Sequence, residues 1–161
     1  MEKLTEDKIK KTRNYFIKKG YKEITVELGG RKISYFVIPQ ALEPNLPNFV
    51  IRVTGNSKDD FVFGISDSVN KEYQPYVVAH EYIEFLEIGI NAPDRCVKAL
   101  EEELKLVYQF IPNDLKPGYV KMRRDFFRDL ISYCSEKPKL YTEDEVRQFK
   151  KNLETLEEIL K

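Results

Sequence analysis

The chain has 161 residues, and its 27 lysine and arginine residues balance 27 aspartate and glutamate residues to a formal net charge of zero. That length predicts a single domain, residues 1–161, with a real hydrophobic core, and an aromatic content of 12% argues against disorder. The balanced charge argues against nucleic acid as a partner. The lack of a long apolar run argues against a membrane span, and the first residues carry no apolar leader core, so a cytoplasmic protein is expected.

In chain order, Thr5 with Glu6 and Asp7 reads as a helix start, with Leu4 and Ile9 spaced as a hydrophobic staple. This helix carries a local basic cluster, Lys8, Lys10, Lys11, Arg13, Lys18 and Lys19, and stops at Gly20. Alternation then predicts a strand over Lys22–Leu28, a turn at Gly29-Gly30 and a return strand over Lys32–Ile38. Three prolines in Pro39–Pro47 predict an extended loop. Asn48–Thr54 and Asp60–Ser66 read as two further strands around a turn at Gly55-Asn56-Ser57, with Asp59, Asp60 and Asp67 as solvated turn residues. Beyond Pro75 the apolar period changes from two to 3.6. Helices are expected near Gln74–Ile88, Pro93–Phe110, Tyr119–Glu136 and Thr142–Leu160, the last opened by a capping box from Thr142 to Glu145. The fold class is therefore α+β: an N-terminal helix and a small, mainly antiparallel sheet of about four strands in residues 1–73, then a helical part, 74–161.

The helical part places charge where apolar residues belong. Around the helix over Tyr76–Ile88, His80, Glu81, Glu84 and Glu87 form a stripe within an arc of roughly 120° on an otherwise apolar surface. On the next helix Glu103 falls inside the apolar arc of Cys96, Val97, Leu100, Leu104, Val107, Phe110 and Ile111, where an unpaired carboxylate is costly. On the helix after that Arg123 falls among Met122, Phe126, Leu130, Tyr133 and Cys134, while Arg124 and Arg128 point outward. These groups are expected to converge. Cys96 and Cys134 lack a C-x-x-C spacing and read as small buried thiols.

Two chemistries fit the convergence. In one, His80, Glu84 and Glu103 hold a divalent metal with an open position for water, Glu81 takes the proton of that water, and Arg123 or a tyrosine stabilises developing negative charge. In the other, His80, Glu84, Glu103 and Arg123 are an internal ion network that fixes how the helices pack.

The string His80-Glu81-Tyr82-Ile83-Glu84 reads H-E-x-x-E, and 18 residues (85–102) separate Glu84 from Glu103. On these residues the chain resembles the zincin metallopeptidases, in particular the gluzincin branch, whose H-E-x-x-H helix is followed at that spacing by a third, glutamate ligand. The resemblance covers about Phe61 to Glu103. It implies a zincin-like fold, a metal site on His80, Glu84 and Glu103, Glu81 as general base, and a peptide or protein substrate along strand 61–66. The chain departs from the family at Glu84, which stands where a histidine is usual. That makes a harder donor set, for which manganese or iron stand beside zinc. The alternative from a different class is a non-catalytic interaction protein that uses its sheet edge, or self-association through the C-terminal helix. Val146, Phe149, Leu153, Leu156 and Leu160 step there at coiled-coil spacing.

Overall fold

The computed structural model describes residues 6–42, 48–54 and 61–161, with side chains described from Lys11 onward and not at 53 and 54. The expected cap at Thr5 and its Leu4–Ile9 staple, the side chains of Lys8 and Lys10, the loop 43–47, the turn at Gly55-Asn56-Ser57 and Asp59-Asp60 lie outside the described set.

The described residues form an α+β fold, in the order α1 (Glu6–Lys18), β1 (Glu23–Leu28), β2 (Arg31–Ile38), β3 (Val50–Thr54), β4 (Phe61–Ser66), α2 (Gln74–Tyr82), α3 (Arg95–Phe110), α4 (Lys116–Glu136) and α5 (Glu143–Ile159). No described helix is long and apolar enough to cross a membrane.

Gly29 and Gly30 both take positive φ, 57° and 80°, as a tight two-residue hairpin demands, and the register runs from Leu28↔Arg31 to Glu23↔Phe36. The sheet order is β1-β2-β4-β3. β4 pairs antiparallel with β3 and parallel with β2, so the sheet is mixed. The close β2–β4 approach depends on Gly64, since a Cβ there would collide with the Ile38 side chain.

Period-two alternation divides the sheet between two cores. Phe36, Ile38, Phe49 and Val62 pack with Phe16 of α1 on one face. Ile33, Tyr35, Phe63 and Ile65 face Val77, Val78, Ala79 and Ile83 on the other. A third cluster, with Leu100, Leu104, Phe127, Leu130, Phe149 and Leu156, joins α3, α4 and α5. In the apolar row of α5, Phe149 and Leu156 are buried in this cluster, and Val146, Leu153 and Leu160 pack against it partly buried. Thr142 and Glu145 make the expected reciprocal capping box.

Three local expectations are corrected. The helix over Gln74–Ile88 is α-helical only to Tyr82, and Ile83–Ile88 continues as a π-helical turn that ends at Gly89 (φ 98°). The buried face of α3 is rotated from the expected one: Ala99 and Leu106 are buried, while Phe110 is exposed. The core face of α4 uses Tyr119, Val120 and Phe127 rather than Met122, Phe126 and Tyr133, which are only partly buried.

Candidate metal centre

α2 packs against the sheet through Val77, Val78 and Ala79, and His80 is buried beside them, 3% exposed. α3 brings Glu103 and Cys96 to the two sides of the ring, and α4 brings Tyr119 and Arg123 behind Glu103.

The imidazole therefore has two unlike neighbourhoods. Its Nδ1 lies 2.8 Å from Glu103 Oε1. Arg123 donates two bonds to the same carboxylate, Nε to Oε2 at 2.8 Å and Nη2 to Oε1 at 3.0 Å, and the Tyr119 hydroxyl donates to Oε2. Glu103 has no exposed surface. Burial opposes its charge, but Arg123 and His80 outweigh burial and hold its carboxyl below the usual carboxylate range. Burial and the Glu103 charge together push the Tyr119 phenol well above its ordinary value, so it stays a donor.

On the other side, Nε2 lies 3.4 Å from Glu84 Oε2 and 3.5 Å from Cys96 Sγ. Because carboxylate Glu103 accepts from Nδ1–H, Nε2 is the nitrogen left to face a ligand. Burial works against a charged ring, but Cys96, Glu103 and Glu84 outweigh it and lift the His80 pKa well above the imidazole value. Burial is also the main cause that pushes the Cys96 thiol up, against the pull of His80.

His80, Glu84 and Cys96 form a buried group able to hold a metal ion, with one donor atom from each within 4.8 Å of the others. Their spacing suits the task, because donors bound at about 2.0–2.3 Å around a tetrahedral ion sit roughly 3.3–3.6 Å apart. The donor types suit it as well, and a carboxylate on the far nitrogen of a ligating histidine is the usual way its ring is oriented. α5 fixes the thiol's place: Gln148 Oε1 accepts from the Cys96 amide at 2.9 Å, and Asn152 Nδ2 lies 3.3 Å from Cys96 Sγ and O.

Above this group lies a cleft of about 400 Å³ lined by Phe49–Arg52 at β3, by Glu81, Glu84, Phe85 and Arg95, and by Phe126 and Phe127 of α4. Glu81 faces it, about a quarter exposed, with Oε2 3.8 Å from Arg52 Nε. Burial and the neighbouring Glu84 charge raise its pKa, the direction a proton acceptor near neutrality requires.

The expected residues are thus sorted by the fold. His80, Glu81 and Glu84 meet at the cleft. Glu103 and Arg123 are buried as the helical wheel predicted, but they stand on the Nδ1 side, with both Glu103 oxygens taken by hydrogen bonds. The third donor on the Nε2 side is Cys96, so Glu103 supports the histidine rather than completing the cage. Arg123 likewise places two hydrogen bonds on Glu103, and it also lines the cleft. Glu87 leaves the stripe altogether and pairs with Arg31 of β2 at 2.5 and 2.9 Å. Strand 61–66 lies inside the sheet, paired with β3 along Phe61–Ile65 and with β2 along Gly64–Ser66, and the end strand beside the cleft is β3.

Sequence reasoning missed Cys96, Gln148 and Asn152 as members of the site. The available signal was a cysteine in the first turn of the helix after the H-E-x-x-E string, and two amides bordering the apolar row of α5. No protein-family model, curated protein or solved structure matches this chain.

Proposed function

We propose that this chain is a zincin-like, metal-dependent hydrolase acting on a peptide-like substrate in the cleft between β3 and α2. The observation that carries the reading is the convergence of His80 Nε2, Glu84 and Cys96 at the cleft floor, with Glu81 beside them. When bound, a divalent ion there acidifies water and polarises a carbonyl. Zinc suits a donor set of thiolate, imidazole and carboxylate better than manganese does, because sulfur is a soft ligand. Glu103 holds the His80 ring in the tautomer that leaves Nε2 for the ligand side. Glu81 accepts the proton of the attacking water and returns it to the leaving amine. An extended peptide would add along β3, the end strand of the sheet, where backbone hydrogen bonds align its carbonyls with the cleft floor.

Metal content tests this directly. The chain purified without chelator or affinity-tag metal is expected to hold about one equivalent of zinc, lost in His80→Ala. Glu81→Gln is expected to keep the metal and lose peptide hydrolysis. A chain that takes up no ion even from millimolar zinc sinks the reading.

A second reading has its own support in the bidentate Arg123–Glu103 pair, which ties α3 to α4 without any ion. In that case the chain is a non-catalytic interaction protein. Strong destabilisation by Arg123→Ala together with an absence of bound metal would favour it.

A further inference from the structure

We propose that the cleft receives a substrate carboxylate, held by the guanidinium groups of Arg52 and Arg95 beside Phe85. This deepens the hydrolase reading and rests on it for the fate of the substrate, while the arginine geometry carries the nature of the substrate.

Arg52 Cζ lies 3.6 Å from the Phe85 ring centroid and Arg95 Cζ lies 5.4 Å from it. Stacking uses the flat face of a guanidinium and leaves its in-plane N–H fork for an anion. Both arginines line the cleft, with side chains 37% and 20% exposed. Their anionic contacts are loose. Arg52 Nε is 3.8 Å from Glu81, beyond hydrogen-bond range. Arg95 Nε is 3.2 Å from Glu84 but lacks hydrogen-bond geometry, and Nη2 is 3.9 Å from Glu145. Among the described residues, only Nη1 of Arg95 makes a hydrogen bond, to the Ile90 carbonyl at 3.2 Å.

Arg123 shows what a structural arginine looks like in this protein, with two short bonds to one carboxylate. Arg52 and Arg95 instead lean toward Glu81 and Glu84, the two carboxylates that the metal chemistry engages as base and ligand. Arg95 faces Glu84 Oε1, while the oxygen that would reach an ion beside His80 Nε2 is Oε2. The ligand matching two planar forks is a carboxylate, from an acidic side chain or a peptide C-terminus. A dianion fits less well, because Glu81, Glu84 and Glu145 already line the cleft.

The test is calorimetric titration of the zinc-loaded full chain with three alanine-rich hexapeptides. One is capped at both ends with a central glutamate, one is capped with a central glutamine, and one carries the glutamine with a free C-terminus. The glutamate peptide, the free-C-terminus peptide or both are expected to bind roughly tenfold more tightly than the capped glutamine peptide. The preferred peptide identifies the source of the carboxylate. That margin should vanish in Arg52→Gln and in Arg95→Gln, with zinc content unchanged. Arg52→Gln is at a more exposed position, so it keeps the test sound if Arg95→Gln folds poorly. Equal affinities for all three peptides, no binding at millimolar peptide, or a margin that survives both substitutions overturns the inference while leaving a zinc-loaded chain intact. A margin seen in a chain that binds no zinc keeps the carboxylate site and removes the hydrolase reading.

Discussion

Each side of the His80 ring carries a carboxylate backed by an arginine, and the two sides differ in burial and in how tightly the carboxylate is held. At Nδ1, Glu103 accepts from Arg123, Tyr119 and the ring itself, and both its oxygens have partners. At Nε2, Cys96 Sγ makes one longer hydrogen bond at 3.5 Å and Glu84 Oε2 lies at 3.4 Å, while Arg95 Nε, 3.2 Å from Glu84 Oε1, has no hydrogen-bond partner among the described residues. Saturated buried networks hold a fold together, whereas donors and acceptors that converge without closing on each other are a place for a ligand.

The largest expected effect breaks the saturated side. Arg123→Ala leaves the buried Glu103 carboxylate with only His80 and Tyr119 as partners, and should cost about 3–5 kcal/mol in urea unfolding. A loss within the range of surface substitutions would mean that Glu103 is not the anchor of the ring. Next comes the open side. Zinc at a hundredfold excess over its dissociation constant should raise unfolding stability by about 2.7 kcal/mol in the native chain and by far less in Cys96→Ala. An identical zinc response in the two chains would remove the thiol from the ligand set. Tyr119→Phe removes one hydrogen bond to a buried carboxylate, and a loss of about 1.5 kcal/mol is expected, with zinc still bound. Glu81→Gln is the smallest in stability, within about 0.5 kcal/mol, because its side chain faces the cleft.

Acidity separates the two sides further. The folded-state pKa of Glu103 is depressed, so its contribution is present above the ordinary carboxylate value of about 4.3 and is lost as pH falls through the lower folded value. His80 is raised, so its contribution is full below about 6.5 and is lost as pH rises through the higher folded value. An ion at Nε2 replaces the proton there, so zinc uptake should release protons and strengthen as pH rises through that same window. Uptake with no pH dependence would show that Nε2 is not a ligand.

Much of this was legible along the chain. Alternation in 22–38 and 48–66 marked the strands, Gly29-Gly30 marked the hairpin, and Thr142 with Glu145 marked the start of α5, because each depends on neighbours a few residues apart. The burial of Glu103 and Arg123 was legible too, since a charged residue inside an apolar helical arc has few places to go. The π-helical turn was not legible. It changes the angle per residue after Tyr82, and with it sends Glu87 toward Arg31. The β2–β4 pairing was not legible either. It pairs β4 on both sides at Gly64 and Ile65 and makes β3 the end strand at the cleft, because strand order is set by packing across the sheet rather than by the strands' own patterns.

The sequence by itself determined that charge enters the interior on three helices around one histidine. A helix's periodicity fixes which way each residue points relative to its own neighbours. Only the tertiary structure decided which nitrogen each group meets. Side chains on separate helices take their distances from how those helices cross, and that crossing set Glu103 on Nδ1 and Cys96 on Nε2.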